Sequence, residues 1–177
     1  RVFNVFDNRL SALETLAQEW SAWDDTYKFI NKENPGFIEK NIFEVSYENM
    51  DVNFMLFYDK SGKLVSGQGY DWVKQENLTI SNKLMDLRNM GIQINEGRND
   101  RKTKGIRGII KLQDGLLMVA AQPILKNNYE GLPNGTFIAG RYLDDIEIQE
   151  LSKTVGFPLH IMELEDLYSN DFENLNK

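Results

Sequence analysis

Apolar residues recur at three- and four-residue intervals from the first positions of the chain: Phe3, Phe6, Leu10, Leu13, Leu16, Ala17, Trp20, Trp23, Tyr27 and Ile30. That spacing keeps one face of a helix apolar and predicts a single long helix over residues 1–30. Asn34-Pro35-Gly36 ends it, and a short helix over 37–43 follows. The pattern then changes to strand-length runs. Residues 53–59 are apolar and aromatic, and Asp59-Lys60-Ser61-Gly62 supplies turn chemistry before a second strand from Lys63 to Gly67. Tyr70, Asp71 and Trp72 read as a loop, and 80–90 returns to helical spacing with Ser81 as its cap.

The densest apolar content lies between Gly105 and Asp145 and reads as a three-stranded meander. Asp114-Gly115 is a two-residue hairpin signal, since such a turn needs positive φ that glycine supplies. Alternation places Phe137, Ala139 and Arg141 on one face of the last strand, and puts Gln122 at the end of the row Leu116, Met118, Ala120. A helix over 144–155 stops at Gly156, a short strand is expected over 157–162, and an acidic tail occupies 163–177. The elements describe one domain over 1–177 with a sheet core at 53–162, of the α+β class: helices on a central antiparallel sheet of five to six strands.

Composition narrows what such a domain does. At 177 residues and 41% apolar content the chain is long enough for one core. A net charge of −7 argues against phosphate-backbone binding, so no nucleic-acid partner is expected. The absence of cysteine removes thiolate nucleophiles, disulfides and Cys-ligated metals. No run approaches the roughly eighteen apolar residues of a membrane span. The first helix is already periodic at Val2 with no cap before it, which predicts a segment of a longer protein whose membrane contact is made elsewhere. A helix this long would project beyond a small sheet, so Phe3, Phe6 and Leu10 motivate a parallel homodimer through it.

Candidate chemistry is sparse. Asp24 lies among Trp20, Trp23 and Tyr27 by helical spacing, and has two readings: an acceptor for buried backbone or indole N–H groups, or part of a ligand pocket. Asp25 points about 100° away and cannot form an acid/base couple with it. His160, the single histidine, faces away from Glu163 on an expected strand and reads as structural. No phosphate loop, dinucleotide fingerprint or nucleophile elbow occurs, so neither a cofactor nor a metal is called for, and enzymatic activity is not expected. Arg98, Arg101, Lys102 and Lys104, leading to Arg107, read as a solvated loop or as an anion or lipid-headgroup contact.

The residues Trp23-Asp24-Asp25-Thr26-Tyr27, Asn53 before an apolar strand, Asp59-x-x-Gly62, Gly115, Gln122-Pro123-Ile124, Gly135-Thr136 and Gly140-Arg141-Tyr142-Leu143-Asp144 together resemble the fourth CHASE family, the cyclase- and histidine-kinase-associated sensory extracellular domains. The resemblance covers roughly residues 20–155. It implies a PAS-like (PDC or Cache-type) sheet and an extracytoplasmic sensor at the cell membrane, flanked by transmembrane helices and followed by a kinase or cyclase. The Tyr/Arg/Trp/Tyr/Asp constellation of amino-acid-sensing Cache relatives does not lay onto this sequence. On this reading an unidentified small molecule sits against the sheet, contacted by Arg141, Gln122, Asp24 and Tyr27 with Tyr58 and Tyr70 as further candidates, and its occupancy shifts the first helix. The alternative is a non-catalytic dimerisation or docking scaffold in which the same residues form a closed polar core.

Overall fold

The computed structural model describes residues 1–87, 105–112, 115–129 and 131–162. Its centre is a six-stranded antiparallel sheet: β1 (Phe54–Asp59), β2 (Leu64–Asp71), β3 (Glu76–Asn77), β4 (Ile106–Leu112), β5 (Gly115–Pro123) and β6 (Gly135–Tyr142), in spatial order β3-β2-β1-β6-β5-β4. First and last long strands are neighbours, so the hairpin β1–β2 and the meander β4–β5–β6 zip together at β1 and β6. The register of that seam pairs Phe54 with Gly140. A Cβ at Gly140 would run into the fully buried Phe54 ring, so this position admits no side chain without moving an aromatic of the core.

Strand alternation feeds two cores. Met55, Phe57, Met118, Ala120, Phe137 and Ala139 face α1 (Val2–Ser21), α2 (Asp24–Ile30), α3 (Phe37–Asn41) and α4 (Glu44–Met50). Phe54, Leu56, Tyr58, Leu117, Val119, Ala121 and Ile138 face α5 (Asn82–Met85) and its flanks Ile80 and Leu87. The last helix, α6 (Asp145–Val155), packs beside α1; Asp144 caps it by accepting from the Glu147 N–H at 2.9 Å.

The single helix expected over 1–30 is two helices. No glycine or proline marks the break. Instead Leu125 N–H donates to Ser21 O at 3.0 Å, Trp23 turns extended (φ −111°, ψ 130°), and the Asp24 N–H is satisfied by Asn127 Oδ1. The loop after β5 thus takes over hydrogen bonds that a continuous helix would make itself. The bend drives Phe29 and Ile30 into the core, where Phe29 stacks on Phe37. Asp24 and Asp25 fall in the first turn of α2, where the helix dipole favours negative charge.

Three further expectations change. Tyr70 and Asp71 belong to β2, which pairs on through Tyr70 with Asn77 of the unanticipated β3. Residues 44–50 form α4, and 157–162 form no strand; His160 is exposed there. The β4–β5 register pairs Leu112 with Gly115, one residue away from an Asp114-Gly115 turn; 113 and 114 lie outside the described residues, as do the basic stretch Arg98–Lys104 and the tail. At Asp59-x-x-Gly62 the turn is as expected: Asp59 Oδ1 accepts from the Ser61 N–H, the Ser61 hydroxyl and the Lys63 N–H, and Gly62 takes φ 87°.

Candidate functional site

On α1, Arg9, Leu13 and Ala17 fall at i, i+4 and i+8; on α6, Glu147, Leu151 and Val155 do the same, and both apolar pairs are buried. Each helix therefore carries one charge on its inward stripe. The two charges meet. Arg9 Nε donates to Glu147 Oε1 at 2.6 Å and Arg9 Nη2 donates to Oε2 at 2.9 Å, a bidentate pair. Arg141 Nε, from the end of β6, donates to the same Oε2 at 3.2 Å. Asp51, just past α4, completes the group through Arg9 Nη2 and lies 3.7 Å from Arg141 Nε.

Two guanidinium and two carboxylate groups balance in charge, which the buried pair Arg141 and Glu147 at its centre requires. Burial of Glu147 acts to raise its pKa, but the hydrogen bonds and charge of Arg9, then Arg141, outweigh it and hold the carboxyl below the ordinary range. Bonding to Glu147 likewise raises the Arg9 pKa against the effect of burial. Both stay ionised at neutral pH.

Beside this cluster is a cleft of about 220 Å³, walled by Leu13 and Leu16 of α1, Met118 of β5, and the polar groups of Arg9, Asp51 and Arg141. Arg141 is 5% exposed, and its guanidinium carbon lies 5.1 Å from the centroid of the Trp72 ring. Trp72 is itself held by its indole N–H to Val52 O and by the edge-on ring of Tyr70, which stacks on Tyr47. Held in this way, Arg141 leaves its Nη1 buried with no hydrogen-bond partner among the described residues. A second cleft of about 280 Å³ opens on the far side of Trp72, between Leu78, Leu116 and Leu143.

Of the six residues expected to touch ligand, Arg141 lines the first cleft and Tyr70 stands behind it, supporting Trp72. The other four lie elsewhere. Asp24 accepts from the Asn127 N–H at 2.9 Å while Asn127 Oδ1 accepts from the Asp24 N–H, a reciprocal clasp at the α1–α2 bend. Tyr27 is half-buried on α2 with Lys126 Nζ 5.4 Å from its ring centroid. Gln122 is buried over Gly105, its Nε2 unpartnered among the described residues. Tyr58 is on the opposite face of the sheet from Arg141, its hydroxyl donating to Met85 O at 3.0 Å. Sequence reasoning missed Arg9, Asp51 and Glu147, although the inward charge on the stripes of α1 and α6 was a usable signal.

The other flank of α1 is also tied by an arginine. Arg107 on β4 reaches Asp7 (2.9 Å), Glu14 (3.2 Å) and the Ser11 hydroxyl. The helix thus lies on the sheet from Asp7 onward; Phe6 and Leu10 are half-buried and Phe3, in its first turn, is 89% exposed.

Comparison with known proteins places these features. The profile of the CHASE4 domain matches residues 5–162, most of the chain. The chain belongs to the CHASE4 domain family. CHASE4 is a family of sensory domains, and the matched span includes most of α1, the whole sheet and α6. The chain is similar to the methanogenesis regulatory histidine kinase FilI of Methanothrix harundinacea (strain 6Ac), with 31% identity over 152 residues. That match covers 86% of this chain and 17% of the relative, so the chain spans about a sixth of the protein it resembles. The fold is shared with the crystal structure of an extracellular domain assigned to the histidine kinase vpHK1S-Z8, at TM-score 0.61 and 14% identity over 85% of this chain and 56% of that one. Among the described residues no helix of this CHASE4 domain is long and apolar enough to cross a membrane.

Proposed function

We propose that this CHASE4 domain is the extracytoplasmic sensor of a membrane-bound histidine kinase, that a small molecule binds against its sheet in the Arg141 cleft, and that occupancy shifts α1. The observation that carries the reading is the Nη1 of a buried arginine, without a partner among the described residues, beside a cleft whose other wall is the first helix. A buried donor without an acceptor costs about 1–3 kcal/mol, and an entering acceptor recovers it. The cleft is smaller than the roughly 300–1,000 Å³ of sites for drug-sized ligands, so its occupant is small.

Because Arg9 and Arg141 share one carboxylate, anything that draws on Arg141 alters the tie that holds α1. A ligand shifts this equilibrium only as far as it binds one arrangement of α1 better than the other. The exposed Phe3 in the first turn of α1 supports a parallel pairing of two such helices, which would pass the shift to a partner protomer.

The test is native mass spectrometry of the purified chain for a retained small molecule, with hydrogen exchange of α1 before and after its removal. Retention with weaker or stronger α1 protection on removal supports the reading. An empty cleft, and exchange of residues 2–21 indifferent to every added metabolite pool, would overturn it in favour of a docking scaffold.

A further inference from the structure

We infer that the cleft takes a small monocarboxylate, and that Asp51 is a tethered competitor for the positive charge of Arg9 and Arg141. The inference rests on the sensor reading above and adds the chemical class of the ligand. Arg141 Nη1 is buried with no acceptor among the described residues, and a carboxylate is the acceptor that both takes a guanidinium N–H and matches its charge. The remaining walls, Leu13, Leu16 and Met118, suit a short alkyl tail.

Charge decides what must happen on entry. Arg9 and Arg141 are already neutralised by Glu147 and Asp51, so a third carboxylate enters favourably only by replacing one of these two. Glu147 has no exposed side-chain surface and is bound by both arginines. Asp51 is the one able to leave: its side chain is 42% exposed, and its contact with Arg141 is loose at 3.7 Å. It also occupies the left-handed backbone region at φ 51°, ψ 46°, where a non-glycine residue is uncommon and aspartate among the better tolerated. Released into water, Asp51 would give up Arg9 as well as Arg141, loosening one tie on α1.

The experiment titrates the 177-residue chain and its Asp51→Asn and Arg141→Lys variants with propionate and with its neutral isostere propionamide, by NMR at constant ionic strength. Asparagine tolerates the same backbone conformation, so Asp51→Asn keeps the fold while removing the competing charge. The expected result is propionate binding to the parent chain, tightened about five- to tenfold by Asp51→Asn, as removal of one half-exposed like charge provides. Arg141→Lys, which loses the Nη1 donor, weakens it at least tenfold, and propionamide responds to neither substitution. Unchanged or weaker propionate binding in Asp51→Asn, equal tightening of propionamide, or no binding to any variant overturns the inference. A neutral or cationic molecule recovered from the cleft would also overturn it while leaving the sensor reading intact.

Discussion

Arg9 and Glu147 lie 138 residues apart in sequence, yet Arg9 Nε donates to Glu147 Oε1 at 2.6 Å and Nη2 to Oε2 at 2.9 Å. This pair ties the first helix of the domain to the last one, and Arg141 joins it from the sheet. The first helix and the strand that ends at the cleft therefore meet at a single carboxylate.

Glu147→Gln removes the negative charge from between two buried or half-buried guanidinium groups. Breaking a buried pair from one side leaves uncompensated charge, so the variant is expected to lose about 3–5 kcal/mol of stability. Urea denaturation followed by tryptophan fluorescence checks this; a loss under about 1 kcal/mol would mean the cluster is far wetter than its burial implies.

Acid should act through the same residue. Glu147 titrates below its ordinary value of 4.5 in the folded chain, so its stabilising contribution is complete above that value and is lost as pH falls through the lower, folded pKa. Asp59 and Asp71 are lowered too, by turn hydrogen bonds, and contribute in the same direction. The melting temperature of the parent chain is expected to fall below pH 4.5 more steeply than that of Glu147→Gln. Parallel curves would show that Glu147 is not the group responsible.

Gly140→Ala places a methyl group against the Phe54 ring across the β1–β6 seam. Overpacking of a filled core costs about 1–3 kcal/mol. Thermal unfolding of this variant beside Phe54→Leu/Gly140→Ala separates the clash from any strand effect: the double variant should recover part of the loss.

Asp24→Ala opens the clasp with Asn127 at the bend between α1 and α2. The expected loss is about 1 kcal/mol, the worth of an ordinary net hydrogen bond, with binding in the Arg141 cleft unchanged. A change in ligand affinity matching that of Arg141 variants would return Asp24 to the binding site.

What was legible in the sequence was whatever local periodicity controls. Alternation put Phe137, Ala139 and Arg141 on one face, and the structure keeps them there, with Gln122 on the same side of β5 as Met118 and Ala120. The Asp59-Lys60-Ser61-Gly62 turn was equally local. The bend after Ser21 was not, because its cause is Leu125 and Asn127, more than a hundred residues away, and the helical periodicity runs through it without a breaker. Tyr58, a further candidate on the apolar strand, faces away from Arg141, since parity along β1 fixes its face and only the β1–β6 register says which face that is. Glu147 was overlooked for the opposite reason. A charge on an amphipathic helix reads as solvated unless its i+4 and i+8 neighbours are checked, and here those are Leu151 and Val155.

The most direct test of the account is a distance measurement between α1 and the sheet. The chain has no cysteine, so Asn4→Cys on α1 and Lys60→Cys at the β1–β2 turn, both exposed, give two unique spin-label sites. With occupancy of the cleft verified from the Arg141 side-chain signal, the account predicts that the distance distribution shifts by about 1–2 Å or more between the empty and occupied states. An identical distribution in both states, with the cleft demonstrably filled, would contradict it.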